Sequence, residues 1–266
     1  MTATTTALQP QFAETSRVPL TTLVKVELRK MVDTRAGFWL LGITAALVVI
    51  ANVVALIIFS VQDITDAQYG TFITITSYVS SIFLPILGIM LITQEWGQRT
   101  GMVSFTLEPH RDRVIWSKAL AGLVLSLGCI VLGLVVGLVM NLLYGALQGP
   151  IGWDIGIKYI GGFVLSQAIA MLAGFALAAL FLNTAAAIVL YFVYTLLLPG
   201  IFELLANLMS GFASVRPWID FQSAQGPLGD ASMSGSDWGH LLVSGLIWLV
   251  LPLVIGLARI MRAEVK

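Results

Sequence analysis

Few side chains in this sequence are of types that carry chemistry, and they cluster. The stretch from Thr93 to Lys118 reads TQEWGQRTGMVSFTLEPHRDRVIWSK, so Glu95, Arg99, Arg111 and Arg113 interleave with Trp96, Phe105 and Trp116. Arginine and large aromatics dominate the residues that anchor protein interfaces, so the chemistry this pattern suits is docking of a protein partner. The alternative is a solvated loop whose tryptophans mark a lipid interface. A short amphipathic helix is expected from about Glu95 to Leu107, ending before Pro109, because the residue before a proline is pushed out of helical geometry.

A second cluster precedes it. In PLTTLVKVELRKMVDTRA, residues 19–36, Leu20, Leu23, Val24, Leu28, Met31 and Val32 recur at helical spacing, while Lys25, Arg29 and Lys30 lie away from that stripe. The pattern predicts an interfacial amphipathic helix with its basic side chains near anionic headgroups, either as an anchor alone or also touching a cytoplasmic partner. Membrane lipid is therefore an expected partner, and nucleic acid is not. A third feature is isolated: Glu203 is the one ionisable residue within an apolar run, and it follows Pro199 and Gly200, which should kink or break the helix. It is placed near the outer surface, as an interfacial residue or as a candidate outer gate.

Other chemistries are missing from the sequence. There is no Gly-Lys pair and hence no phosphate-binding P-loop, and no Gly-x-Ser-x-Gly nucleophile elbow. His110 and His240 fall on opposite sides of the membrane in the topology below and cannot share a metal. No file of Asp, Glu or His threads the apolar runs, which argues against proton-coupled transport.

The elements that position these residues are set by composition. Of 266 residues 58% are hydrophobic and 11% charged, far below the roughly 25% of a soluble domain, so a water-soluble enzyme is excluded. Cys129 is the only cysteine, so no intrachain disulfide exists. Six stretches reach the roughly 20 residues needed to cross a bilayer, at about 37–60, 71–93, 118–144, 158–182, 185–208 and 239–258. The fold class is an all-α integral membrane protein, residues 19–266 forming one six-span domain after an unstructured cytoplasmic tail, 1–18. The first apolar run begins too late and is too long for a cleavable signal peptide. Twelve of the 14 basic residues fall on the side of the termini and of the loop after the second span, which puts both termini in the cytoplasm. Acidic residues divide evenly, so the inner side is net positive and the outer side net negative. Between the fourth and fifth spans only Asn183 and Thr184 interrupt the apolar sequence, which requires a tight hairpin. Ala170, Gly174 and Ala178, and Gly133 with Gly137, are small-residue rows suited to close helix packing, the first of them expected in that hairpin. The outer segment 209–238 is expected to be apolar and membrane-dipping in its first half and mostly irregular in its second.

Val24–Leu41, VKVELRKMVDTRAGFWLL, and Thr93–Lys118, set in this six-span layout, resemble the ABC-2-type permeases, the membrane subunits of ATP-binding-cassette exporters. In that family an acidic residue ends the second span, a Gly-Thr pair follows, and a Leu-x-Pro and an Arg lead to a Lys that opens the third. Glu95, Leu107, Pro109, Arg111 or Arg113, and Lys118 stand at those positions, with the pair reversed as Thr100-Gly101. The resemblance is to bacterial forms whose ATPase is a separate chain. It implies a multi-pass protein of the bacterial plasma membrane, working with two copies of a P-loop ATPase and a second permease chain, identical or homologous. ATP and Mg would be held by the ATPase, with no cofactor on this chain and no enzymatic activity of its own. The loop after the second span would form a coupling helix docked in the ATPase, with Arg99, Arg111 and Arg113 in ion pairs, Trp96 or Phe105 as apolar anchor, and Glu95 bracing the loop against the N-terminal helix. The implied function is the translocation path for a hydrophobic or amphiphilic substrate, such as a drug, antibiotic or lipid. A non-transporting scaffold or sensor, or a membrane-embedded lipid-modifying enzyme, is the alternative.

Overall fold

The computed structural model describes residues 18–97, 110–148, 151–153 and 155–262. The N-terminal tail apart from Val18, and the loop segment with Arg99 and Phe105, lie outside the described residues. So does most of the helix expected up to Leu107.

Helix α1 (Leu20–Asp33) is followed at once by α2 (Arg35–Val61), α3 (Tyr69–Gly97), α4 (Arg111–Gln148) and α5 (Ile157–Phe181). Next come α6 (Thr184–Leu208), two short helices α7 (Ser210–Ile219) and α8 (Phe221–Gly229), and α9 (Gly235–Arg262). Six of these, α2 to α6 and α9, are long and apolar enough to cross a membrane. No strand occurs among the described residues. Boundaries follow from local chemistry. Thr34 is extended between α1 and α2, and its hydroxyl accepts from Gly37 N at 3.3 Å, so one residue both ends the first helix and caps the second. The α5–α6 hairpin closes on Leu182, held left-handed at φ 52°, and on Asn183, whose side chain accepts from Ala186 N at 3.0 Å.

The core is built on α3 against α5. A methyl added at Gly174 would stand 2.0 Å from the Pro85 carbonyl oxygen, and one at Gly88 2.5 Å from that of Met171, so the two backbones touch. The small row beginning at Ala170 therefore serves this pair. Gly174 meets α3 rather than α6, and Ala178 is buried with Ile89 and Ile92 of α3 as well as with Ala187 of α6. Gly133 and Gly137 admit Thr76, Tyr69 and Ile73 of α3 in the same way. Across these contacts runs a polar ladder at mid-span: Asn52 Nδ2 donates to Thr76 Oγ1 at 3.0 Å, Ser80 Oγ to Thr76 O at 2.8 Å, and Gln167 Nε2 to Ser80 Oγ.

Two prolines do not break their helices. In α6 a π turn at Val193–Leu197 precedes Leu198-Pro199, and in α9 a π turn at Leu246–Val250 precedes Leu251-Pro252. The Leu198 N–H reaches back to Val193 O and the Leu251 N–H to Leu246 O, one residue further than in an α-helix. The wider turn makes room for the proline ring, which would otherwise strike a carbonyl of the preceding turn. The outer segment is also more regular than its Gly, Ser and Asp content suggests. Asp220 accepts from Ser223 N at 3.1 Å and from Arg216 Nε at 3.2 Å, fixing the α7–α8 corner. Phe221, Ala224 and Leu228 then bury against Ile169 and Leu241, so tertiary burial holds α8 helical despite Gly226 and Pro227.

Candidate functional site

At the α1 end of the bundle four charged side chains from three helices close a ring. Glu27 of α1 holds Lys30 at 2.7 Å through Oε1 and Lys118 of α4 at 2.7 Å through Oε2. Glu95, at the end of α3, holds the same two ammonium groups, Lys30 at 2.7 Å and Lys118 at 3.3 Å. The side chains of Glu27, Glu95 and Lys118 are 7%, 9% and 6% exposed, and Lys30 closes the open side at 37%. Signs alternate around the ring and its net charge is zero, so each buried charge has two opposite neighbours that offset its desolvation.

The elements bring these residues together for simple reasons. On α1, Val24, Glu27, Leu28 and Met31 share one face, which packs on Leu84, Leu87 and Leu91 of α3 and Ala121 of α4. Glu27 and Lys30 are one turn apart and so project side by side. Arg111 begins α4, and Lys118 lies about 10 Å further along the helix, at a rise of roughly 1.5 Å per residue. Burial would lower the Lys30 ammonium, but hydrogen bonds and Coulombic attraction from Glu27 and Glu95 outweigh it and hold the pKa above its ordinary 10.5.

The residues expected to work at this end are distributed as follows. Glu95 and Lys30 are in the ring. Lys25 is exposed, and Arg29 pairs with Asp33 at 3.0 Å on the exposed face of α1. Trp96 is half-buried against the cluster of Ile89, Ile92 and Tyr191, within its own chain. Arg111 donates to the carbonyl oxygens of Ile260 at 3.2 Å and Met261 at 3.3 Å, closing the C-terminal end of α9, and Arg113 donates to Val18 O. Arg259 does the same for α5 through Leu180 O at 2.6 Å. Cations on orphaned C-terminal carbonyls satisfy acceptors that helix geometry leaves open and favour the local dipole. Arg111 and Arg259 thereby join helices of this chain to one another. Glu203 is 65% exposed near the end of α6 and faces Arg216 at 4.0 Å.

The ring residue that inspection of the sequence passed over is Glu27. It was legible as a carboxylate within the apolar stripe, one turn from Leu23, Val24 and Met31, a position that needs a cationic partner from elsewhere in the fold. Lys118, the residue that opens the third span, is that partner. Among the described residues no three His, Cys, Asp or Glu side chains are grouped to hold a metal.

No curated protein matches this chain. The family model described as ABC-2 family transporter protein matches residues 23–198, a segment that begins in α1, contains the whole ring and runs through α5 into α6. With six membrane-length helices and this match over well over half of its length, the chain is a multi-pass membrane protein of the ABC-2 transporter family.

Proposed function

We propose that the chain is the permease subunit of an ATP-binding-cassette exporter in a bacterial plasma membrane, with both termini in the cytoplasm. The observation that carries this reading is the Glu27–Lys30–Glu95–Lys118 ring. Glu95 stands just before segment 98–109 and Lys118 about two turns into the helix that follows it, and both are bonded to α1. A displacement of that loop would therefore move α1 and the ends of α3 and α4 as one body. This is what coupling requires. An ATPase docked on the loop through Arg99 and Phe105 would close on ATP and Mg held by itself, and two permeases would tilt against each other to pass a hydrophobic or amphiphilic substrate outward. The permease contributes no catalytic group. Glu203, at the opposite end and 4.0 Å from Arg216, is the candidate outer gate. The family assignment and the one-sided distribution of basic residues support the partnership and the orientation.

The test is purification of the tagged chain from its native membrane in mild detergent. A P-loop ATPase is expected in about equal amount, and Arg99→Glu with Phe105→Ala should abolish its recovery without lowering the permease yield. Recovery of the chain without an ATPase would overturn the exporter reading in favour of a scaffold or a membrane-embedded enzyme.

A further inference from the structure

A cavity of about 260 Å³ opens between α3, α5 and α8, at the end of the bundle opposite the charged ring. It reaches Ser81, about 18 Å along α3 from Tyr69 at roughly 1.5 Å per residue, so it extends to the depth of one lipid leaflet. Thr74, Ser77, Ser81, Ser166 and Gln225 line it, an unusual density of polar groups for the outward side of apolar spans. Their hydrogen bonds are directional. Ser81 Oγ donates to Tyr78 O at 2.8 Å, Ser166 Oγ to Phe163 O at 2.9 Å, and Gln225 Nε2 to Phe221 O at 2.9 Å. The Ser81 and Ser166 protons thus point to the backbone, which leaves those two oxygens to accept, while Thr74 Oγ1 bonds the Tyr159 hydroxyl and Gln225 also donates to Gln222. Asp230 adds an exposed carboxylate at the rim, and among the described residues no Lys or Arg lines the cavity. The nearby Lys158 lines a separate cavity with Leu228 and Trp238. Tyr78, Tyr159 and Phe163 supply ring surface, and Tyr78 is 72% exposed beside Ile82 on the exposed side of α3.

Two serine oxygens left to accept, a carboxylate at the rim, aromatic walls and no basic side chain among the described lining residues favour a donor with positive charge. We propose that this cavity binds the protonated amine head of a cationic amphiphile, with its apolar tail lying along Tyr78 and Ile82. This deepens the exporter reading and rests on it only for the ligand's fate as cargo. The site itself belongs to the permease alone.

The experiment uses the full chain without ATPase in phosphatidylcholine nanodiscs, and a dodecylamine carrying a photoactivatable diazirine in its tail as probe. Label should concentrate on the segments 74–82 and 221–230. Dodecylammonium should compete it away, whereas dodecyl maltoside and dodecyl sulfate should not. Asp230→Asn combined with Ser81→Ala should reduce labelling about tenfold, as expected for loss of a hydrogen bond to a charged group, and Asp230→Glu alone should retain it. Label spread evenly over the spans, equal competition by the maltoside, or undiminished labelling of the double variant would each overturn the proposal. ATPase recovery is measured separately. An ATPase-bound permease that does not label fails this inference alone, and a labelled permease that never binds an ATPase fails the exporter reading alone.

Discussion

Two charged networks stand at opposite ends of the same bundle, and they are built differently. The ring at the α1 end joins residues far apart in the chain, Glu27 with Lys118 and Lys30 with Glu95, and three of its four side chains are almost wholly buried. The network at the other end is local: Arg216 and Asp220 are one helical turn apart, Ser223 is next along, and only Glu203 comes from a neighbouring helix. Asp220 is buried, at 2% exposure, while Glu203 is largely in solvent. Charges drawn from distant segments and removed from water constrain how helices sit against one another. Charges from adjacent turns constrain a corner.

The largest expected effect tests the ring. Lys118→Met leaves Glu27 and Glu95 buried with one cation between them and should destabilise the protein by about 3–5 kcal/mol, read from denaturant unfolding in detergent. If Glu27→Gln together with Lys118→Met costs as much as the two single changes added, the pair is not coupled and the ring is no unit. At the opposite end Asp220→Ala removes the α8 cap and should cost about 1 kcal/mol. Its signature is faster amide exchange confined to residues 210–229, and a global loss instead would erase the contrast between the two ends.

Alkaline titration separates the networks further, with a smaller effect because Lys30 is 37% exposed. The Lys30 pKa is raised on folding, so its contribution to stability is fully present below 10.5 and is lost as pH rises through the elevated value. Wild-type protein should therefore loosen above that pH, and Lys30→Met should flatten this part of the profile. Glu203→Gln should change stability least, by no more than about 0.5 kcal/mol, since an exposed contact at 4.0 Å contributes little. A larger loss would show that the outer pair holds α6 to α7 in earnest.

Much of the architecture was legible before any coordinates. All six spans lie where the apolar runs predict, because lipid leaves a backbone no hydrogen-bond partner except itself. The α1 helix and the tight turn at Asn183 were equally plain. Pro199 with Gly200 predicts a kink or break, whereas α6 runs through it, because the sequence does not say whether a preceding turn will widen to seat a proline. Helix α8, which runs into the half of the outer segment expected to be irregular, was missed for a related reason. Gly and Pro lower local helix propensity there, and burial of Phe221 and Leu228 overrides it.

For the site, the charge pattern of residues 19–36 made Lys30 a candidate and the family resemblance made Glu95 one, bracing the loop against the N-terminal helix. The ring itself was beyond that reading. Which carboxylate meets which ammonium depends on how three helices pack, and so does the placing of Arg111 and Arg113, expected in ion pairs with an ATPase, on carbonyls of Ile260, Met261 and Val18. Hydrophobic length and charge sidedness are properties of single segments, so the sequence determines them alone. Pairing of buried charges and the closing of a polar cavity between α3, α5 and α8 are properties of several segments at once, and only the tertiary structure decides them.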